Sequence, residues 1–87
     1  MNTPIYRRLH HILTRHFLLP ARMVRPQSSL PGLGLNSLEC SEFYCTIEQQ
    51  FRLTLDDHQL QQARTLHDLA AYVRRTLRPM SALIPVS

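Results

Sequence analysis

The stretch of this 87-residue chain whose residue types and spacing best suit covalent chemistry is Asn36-Ser37-Leu38-Glu39. An Asn with a Glu three residues later has the spacing of a capping box, in which each side chain satisfies the other residue's backbone N–H at the start of a helix. Ser37 would then open the helix, its hydroxyl outward beside unpaired backbone N–H groups and the positive end of the helix dipole. An anion attached there is stabilised, so the local physics suits a serine phosphodiester. On these residues alone, an ordinary polar residue in a first turn is the other reading. Gly32-x-Gly34 just ahead predicts a flexible approach.

Other chemistries find less support. His10, His11 and His16 contain no i,i+4 pair and no cysteine in reach by sequence, so no metal site is expected. Ser37, His67 and Asp68 are the types of a hydrolase triad, but there is no Gly-x-Ser-x-Gly elbow, and adjacent residues on a helix diverge by about 100°. No catalytic residue is expected. Cys40 and Cys45, five apart on one helix, are separated by about 7.5 Å of rise and about 140° of rotation. A mutual disulfide is excluded by that geometry, and the thiols fit a reducing cytoplasm, as packing or surface residues.

Composition bounds the rest. The chain is 44% hydrophobic but only 7% aromatic, the make-up of one small domain with an aliphatic core and no room for a deep cleft. All ten basic residues are Arg, against six acids, giving +4. That total points to a polyanion, and the alternative function is a small basic helical protein binding nucleic acid through Arg7, Arg8, Arg15, Arg22 and Arg25. The charge is divided, however: residues 1–35 carry +5, residues 36–73 carry −4, and residues 74–87 carry +3. The acidic second helix argues against a recognition helix for DNA or RNA, and Arg74, Arg75 and Arg78 suit the negative end of a helix dipole. No run approaches the ~18 apolar residues of a membrane span. Residues 1–25, Arg-rich and acid-free, imitate a transit peptide but are needed as a packed helix.

The elements that must position Ser37 follow from periodicity. Thr3 and Pro4 read as an N-cap and first helical residue, and Ile5, Leu9, Ile12, Leu13 and Phe17 give one apolar face for a helix from about Pro4 to Leu18, stopped by Pro20. Pro20 to Leu35, with both glycines and three prolines, is a long loop that would wrap the bundle on Val24, Leu30, Leu33 and Leu35. In the second helix Cys40, Phe43, Tyr44, Ile47 and Phe51 share the buried face, while Leu38, Glu42, Cys45 and Gln49 face outward. Asp56 caps a short helix through about Gln62. Thr65, with Asp68 three residues on, opens the last helix, which buries Leu66, Leu69, Ala70, Val73 and Leu77 and is closed by Pro79. The fold class is all-α: three main helices and a short one, in one domain over residues 1–79 with a tail over 80–87.

This order, together with Leu33-Gly34-Leu35-Asn36-Ser37-Leu38-Glu39, Glu48-Gln49-Gln50-Phe51 and Leu53-Thr54-Leu55-Asp56, resembles the acyl carrier protein family from roughly Ile5 to Leu77. The resemblance implies a non-catalytic carrier with phosphopantetheine attached covalently to Ser37, its thiol holding acyl or aminoacyl groups as thioesters. Acyl carriers usually have Asp where this chain has Asn36. Either residue caps the helix, whereas Asp alone adds a charge near the magnesium used in the modification. Related peptidyl carrier domains tolerate Asn there. The partners implied are a phosphopantetheinyl transferase, an acyl-loading ligase or acyltransferase, and ketosynthase or condensation enzymes, with the carrier itself a monomer. They would dock on Leu38, Glu39, Glu42, Cys45 and Glu48 of the second helix. The family also shelters cargo between its helices, which here would fall to Tyr44, Ile47, Leu69 and Val73, with ordinary core packing as the other reading.

Overall fold

A computed structural model describes the backbone of residues 4–83 and the side chains of residues 4–77. Four helices form in order: α1 (Pro4–His16), α2 (Ser37–Phe51), α3 (Asp57–Gln62) and α4 (Leu66–Leu83), with single 3-10 turns at Ala21–Met23 and Pro31–Leu33. No strand occurs among the described residues, so the all-α expectation holds. The expected Thr3 cap lies outside the described residues.

Helix α1 packs against both α4 and α2. Their shared core has Leu9, Ile12, Leu13, Phe43, Ile47 and Val73 wholly shielded from water, each burial contributing about 1.5–3 kcal/mol. No polar or charged side chain is buried among the described residues. The first apolar stripe therefore sits as its spacing predicts, with Tyr6 buried beside it and donating its hydroxyl to the Val24 carbonyl at 3.3 Å.

Two helix ends differ from the expectation. Helix α1 stops at His16 rather than Leu18, because Leu18 swings into the left-handed region at φ 57° and the Leu19 N–H turns back to the Leu13 carbonyl at 3.2 Å. The chain thus leaves the helix before Pro20 can act on it. At the other end, α4 does not close at Pro79 but continues to Leu83. Proline there forfeits one helical hydrogen bond and its ring crowds the carbonyl four residues back, at a cost of about 3 kcal/mol, and nothing among the described residues accounts for the backbone continuing through it. Helical backbone crosses the boundary expected at residue 79, and residues 84–87 lie outside the described part.

The long loop is ordered by burial and by the needs of α4. Val24, Leu30, Leu33 and Leu35 are all buried, the four anchors expected from sequence. The loop's carbonyls also serve as a cap: Ser28 and Pro26 accept the N–H groups of Leu66 and His67 at 2.9 and 2.8 Å. Thr65 Oγ1 accepts that of Asp68 at 3.1 Å. These are donors that a helix start leaves without an internal partner.

Candidate functional site at the start of the second helix

The approach to Ser37 is fixed by Gly34, which takes φ 87°, a conformation that residues with a side chain resist. The Leu35 N–H then closes back on the Leu30 carbonyl at 3.2 Å and the Leu35 side chain is buried, so the segment is pinned just before the helix begins. Asn36 completes the capping box: its Oδ1 accepts the Glu39 N–H at 2.8 Å, and Glu39 Oε1 accepts the Asn36 N–H at 3.0 Å. The Asn36 carbonyl takes the Cys40 N–H at 2.9 Å, the first bond of the helix proper.

Ser37 is therefore the first residue of α2, exposed, its hydroxyl bonded to no group among the described residues. Of the first-turn N–H groups, Asn36 takes up only that of Glu39 by its side chain. A covalently bound phosphodiester fits this position: the hydroxyl is accessible, the Glu39 carboxylate is tied into the cap, and the helix start favours negative charge.

Around it α2 divides as its periodicity predicts. Phe43 and Ile47 are buried, Cys40, Tyr44 and Phe51 half-buried against the core, and Leu38, Glu42, Cys45 and Gln49 exposed. Leu38 is 68% exposed, a large apolar side chain directly after Ser37. The three glutamates are not equivalent. Glu39 is held in the capping box, and Glu48 Oε2 accepts the Leu55 N–H at 2.8 Å, which commits it to the α2–α3 connection. The Glu42 carboxylate has no partner among the described residues. Burial, and secondarily Glu39, pushes the Cys40 thiol above its ordinary range, and burial followed by Cys40 does the same to the Tyr44 phenol.

Sequence reasoning did not single out Leu18. Its signal was present, an unpaired apolar residue between Phe17 and Leu19 just before Pro20. Leu18 is 81% exposed and, with Phe17, Leu38, Glu42, Cys45 and Gln49, lines an open groove of about 730 Å³ beside the start of α2. The expected cargo space is only half made of the expected residues. Tyr44 and Leu69 do line a cavity of about 400 Å³ with Leu30, Leu60, Arg64 and Leu66. Ile47 and Val73 do not line it and are fully buried in the core.

Among the described residues no group of three or more His, Cys, Asp or Glu could hold a metal ion. His67 and Asp68 pair with each other at 3.8 Å. Arg7, Arg15, Arg22 and Arg25 are exposed, and Arg8 reaches across to α2, donating to Gln50 Oε1 at 3.0 Å and lying 5.8 Å from the Phe51 ring centre. No described helix is long and apolar enough to cross a membrane.

A four-helix bundle that presents one exposed serine at the capped start of its second helix has the form of a carrier domain. The family model described as a phosphopantetheine attachment site matches residues 7–73, and the chain belongs to that family. Domains of this family take phosphopantetheine covalently and are carriers, not catalysts, on which modifying and acyl-handling enzymes act. No curated protein matches the sequence.

Proposed function

We propose that this chain is an acyl carrier whose attachment residue is Ser37, serving fatty-acid, polyketide or related secondary-metabolite biosynthesis in the cytoplasm. The observation that carries the assignment is the exposed Ser37 hydroxyl at the first position of α2, held by the Asn36–Glu39 capping box inside the matched span. When bound, phosphopantetheine supplies a terminal thiol on which acyl or aminoacyl groups are held as thioesters.

The protein's own residues position and present. Asn36 and Glu39 fix the helix start, so Ser37 is held at the first position of α2 with its hydroxyl in solvent, and the α2 dipole steadies the phosphodiester's charge. Leu38 and Glu42 offer an apolar contact with an unpaired carboxylate near it, suited to a partner enzyme with a hydrophobic pocket and basic rim. Cys45 borders that contact. Glu39 and Glu48 add negative potential there, while their hydrogen bonds give them a structural role first.

Coexpression with a phosphopantetheinyl transferase tests the reading: intact mass should rise by one phosphopantetheine, and Ser37→Ala should abolish the gain. A wild-type chain left unmodified by several transferases, and binding duplex DNA with a steep salt dependence, would replace this reading with the nucleic-acid one.

A further inference from the structure

Leu18 occupies a place from which its own fold gains nothing. Its neighbours both turn inward: Phe17 meets Phe43 edge-on at 6.1 Å and 87°, and Leu19 packs on the core. Between them Leu18 takes φ 57°, the conformation in which helices usually place glycine because a side chain is strained there. At 81% exposure it buries almost none of its apolar surface in return. Leucine at this position thus strains the backbone and wets a hydrocarbon side chain, and an external surface is what would reward it.

The groove indicates which surface. Leu18 and Leu38 both line it, and the carboxylate-bearing residues on its wall are Glu39 and Glu42, with His16 also lining it. Leu38 follows Ser37 and both are exposed, so an enzyme that reaches the Ser37 hydroxyl works at the rim of this groove, where the unpaired Glu42 carboxylate favours a basic partner. We propose that Leu18 and Leu38 are the two jaws of one docking groove for the enzyme that loads Ser37, a phosphopantetheinyl transferase. That enzyme inserts an apolar side chain between the leucines and faces Glu42 with a basic residue. The assignment rests on the reading of Ser37 as the attachment site and extends the recognition surface from α2 to the end of α1.

The experiment measures, for the unmodified full chain and a phosphopantetheinyl transferase, the Kd by calorimetry, the rate of mass gain, and the Tm. Leu18→Gly and Leu18→Asn both relieve the left-handed backbone and remove the apolar jaw. Both should raise Kd about tenfold or more, as loss of an interface anchor does, with Tm equal to or above wild type. Leu18→Met, apolar and similar in volume, should stay within about twofold. Wild-type Kd in Leu18→Gly and Leu18→Asn would overturn the proposal, as would a lower Tm in both, since Leu18 would then be supporting the fold. A wild-type dimer that Leu18→Gly dissolves would assign the groove to a second copy instead. If the wild type is never modified, the Ser37 reading fails. If it is modified normally but is indifferent to residue 18, only the groove fails.

Discussion

The phenolic oxygen of Tyr72 on α4 accepts the backbone N–H of Asp56, the cap of α3, at 2.8 Å. On the other side of the same short connection, Glu48 of α2 accepts the N–H of Leu55. Two side chains from two helices thus hold the link between α2 and α3, and Asp56, so placed, accepts the Gln59 N–H at 3.2 Å to start the short helix. A six-residue helix has little stability of its own, so its position depends on these ties. Tyr72→Phe leaves the Asp56 N–H without its acceptor and should destabilise the fold by about 1–2 kcal/mol in urea unfolding. The Asp56 amide should show faster hydrogen exchange.

Glu42 and Glu48 separate docking from folding. Glu48→Ala removes the acceptor of a partly buried N–H and should lose about 1–3 kcal/mol of stability. Glu42→Arg, on an exposed and unpaired carboxylate, should leave stability within about 0.5 kcal/mol while slowing transfer to and from partner enzymes. Thermal unfolding alongside a transfer assay distinguishes the two. Unchanged transfer in Glu42→Arg would remove the docking role of that carboxylate.

Asn36 is a cap without charge. Asn36→Ala should cost about 1 kcal/mol by stripping the Glu39 N–H of its acceptor. Asn36→Asp keeps the cap, adds a negative charge at the positive end of α2, and should match or exceed wild-type stability by up to about 1 kcal/mol. If Ser37 is the attachment site, the same change should also speed modification, because it introduces the residue acyl carriers usually have there. A slower rate in Asn36→Asp would show that the neutral cap suits this chain's own transferase.

The thiols give a pH test. Burial, then Glu39, raises the Cys40 thiol above its ordinary 9.0. Burial raises both Tyr6 and Tyr44 above 10.0, with Cys40 a second cause at Tyr44. The folded state therefore holds these protons more tightly than the unfolded chain does. Their contribution to stability is intact below about pH 9 and declines as pH rises through the folded values. Urea midpoints should fall on going from pH 8 to pH 10.5. At pH 8 an alkylating reagent should mark the exposed Cys45 before the half-buried Cys40, read by peptide mass mapping.

Much of the architecture is local and therefore legible. The Asn36–Glu39 box, the Asp56 and Thr65 caps and the α2 face of Leu38, Glu42, Cys45 and Gln49 depend on residues a few positions apart, and all stand where their spacing placed them. The loop anchors were legible too, since isolated aliphatics in a Pro- and Gly-rich stretch have few places to go but the core. The end of α1 was not, because Pro20 marks where a helix must have stopped and says nothing of an earlier exit through Leu18. Nor was the division of Tyr44 and Leu69 from Ile47 and Val73, all on apolar faces by periodicity, since which of them meets a cavity depends on how α3 and the loop close over them.

By itself the sequence determined the helical elements, the caps at Asn36, Asp56 and Thr65 and the serine whose surroundings suit an anion, because these follow from periodicity and short-range hydrogen bonding, while the family was carried by the resemblance of its motifs and helix order. Only the tertiary structure decided which carboxylates are already engaged, which apolar residues meet a cavity, and that Leu18 and Leu38, twenty residues apart, share one groove. Those outcomes depend on how helices pack and where a loop returns, and that geometry is set by long-range burial, which no spacing along the chain records.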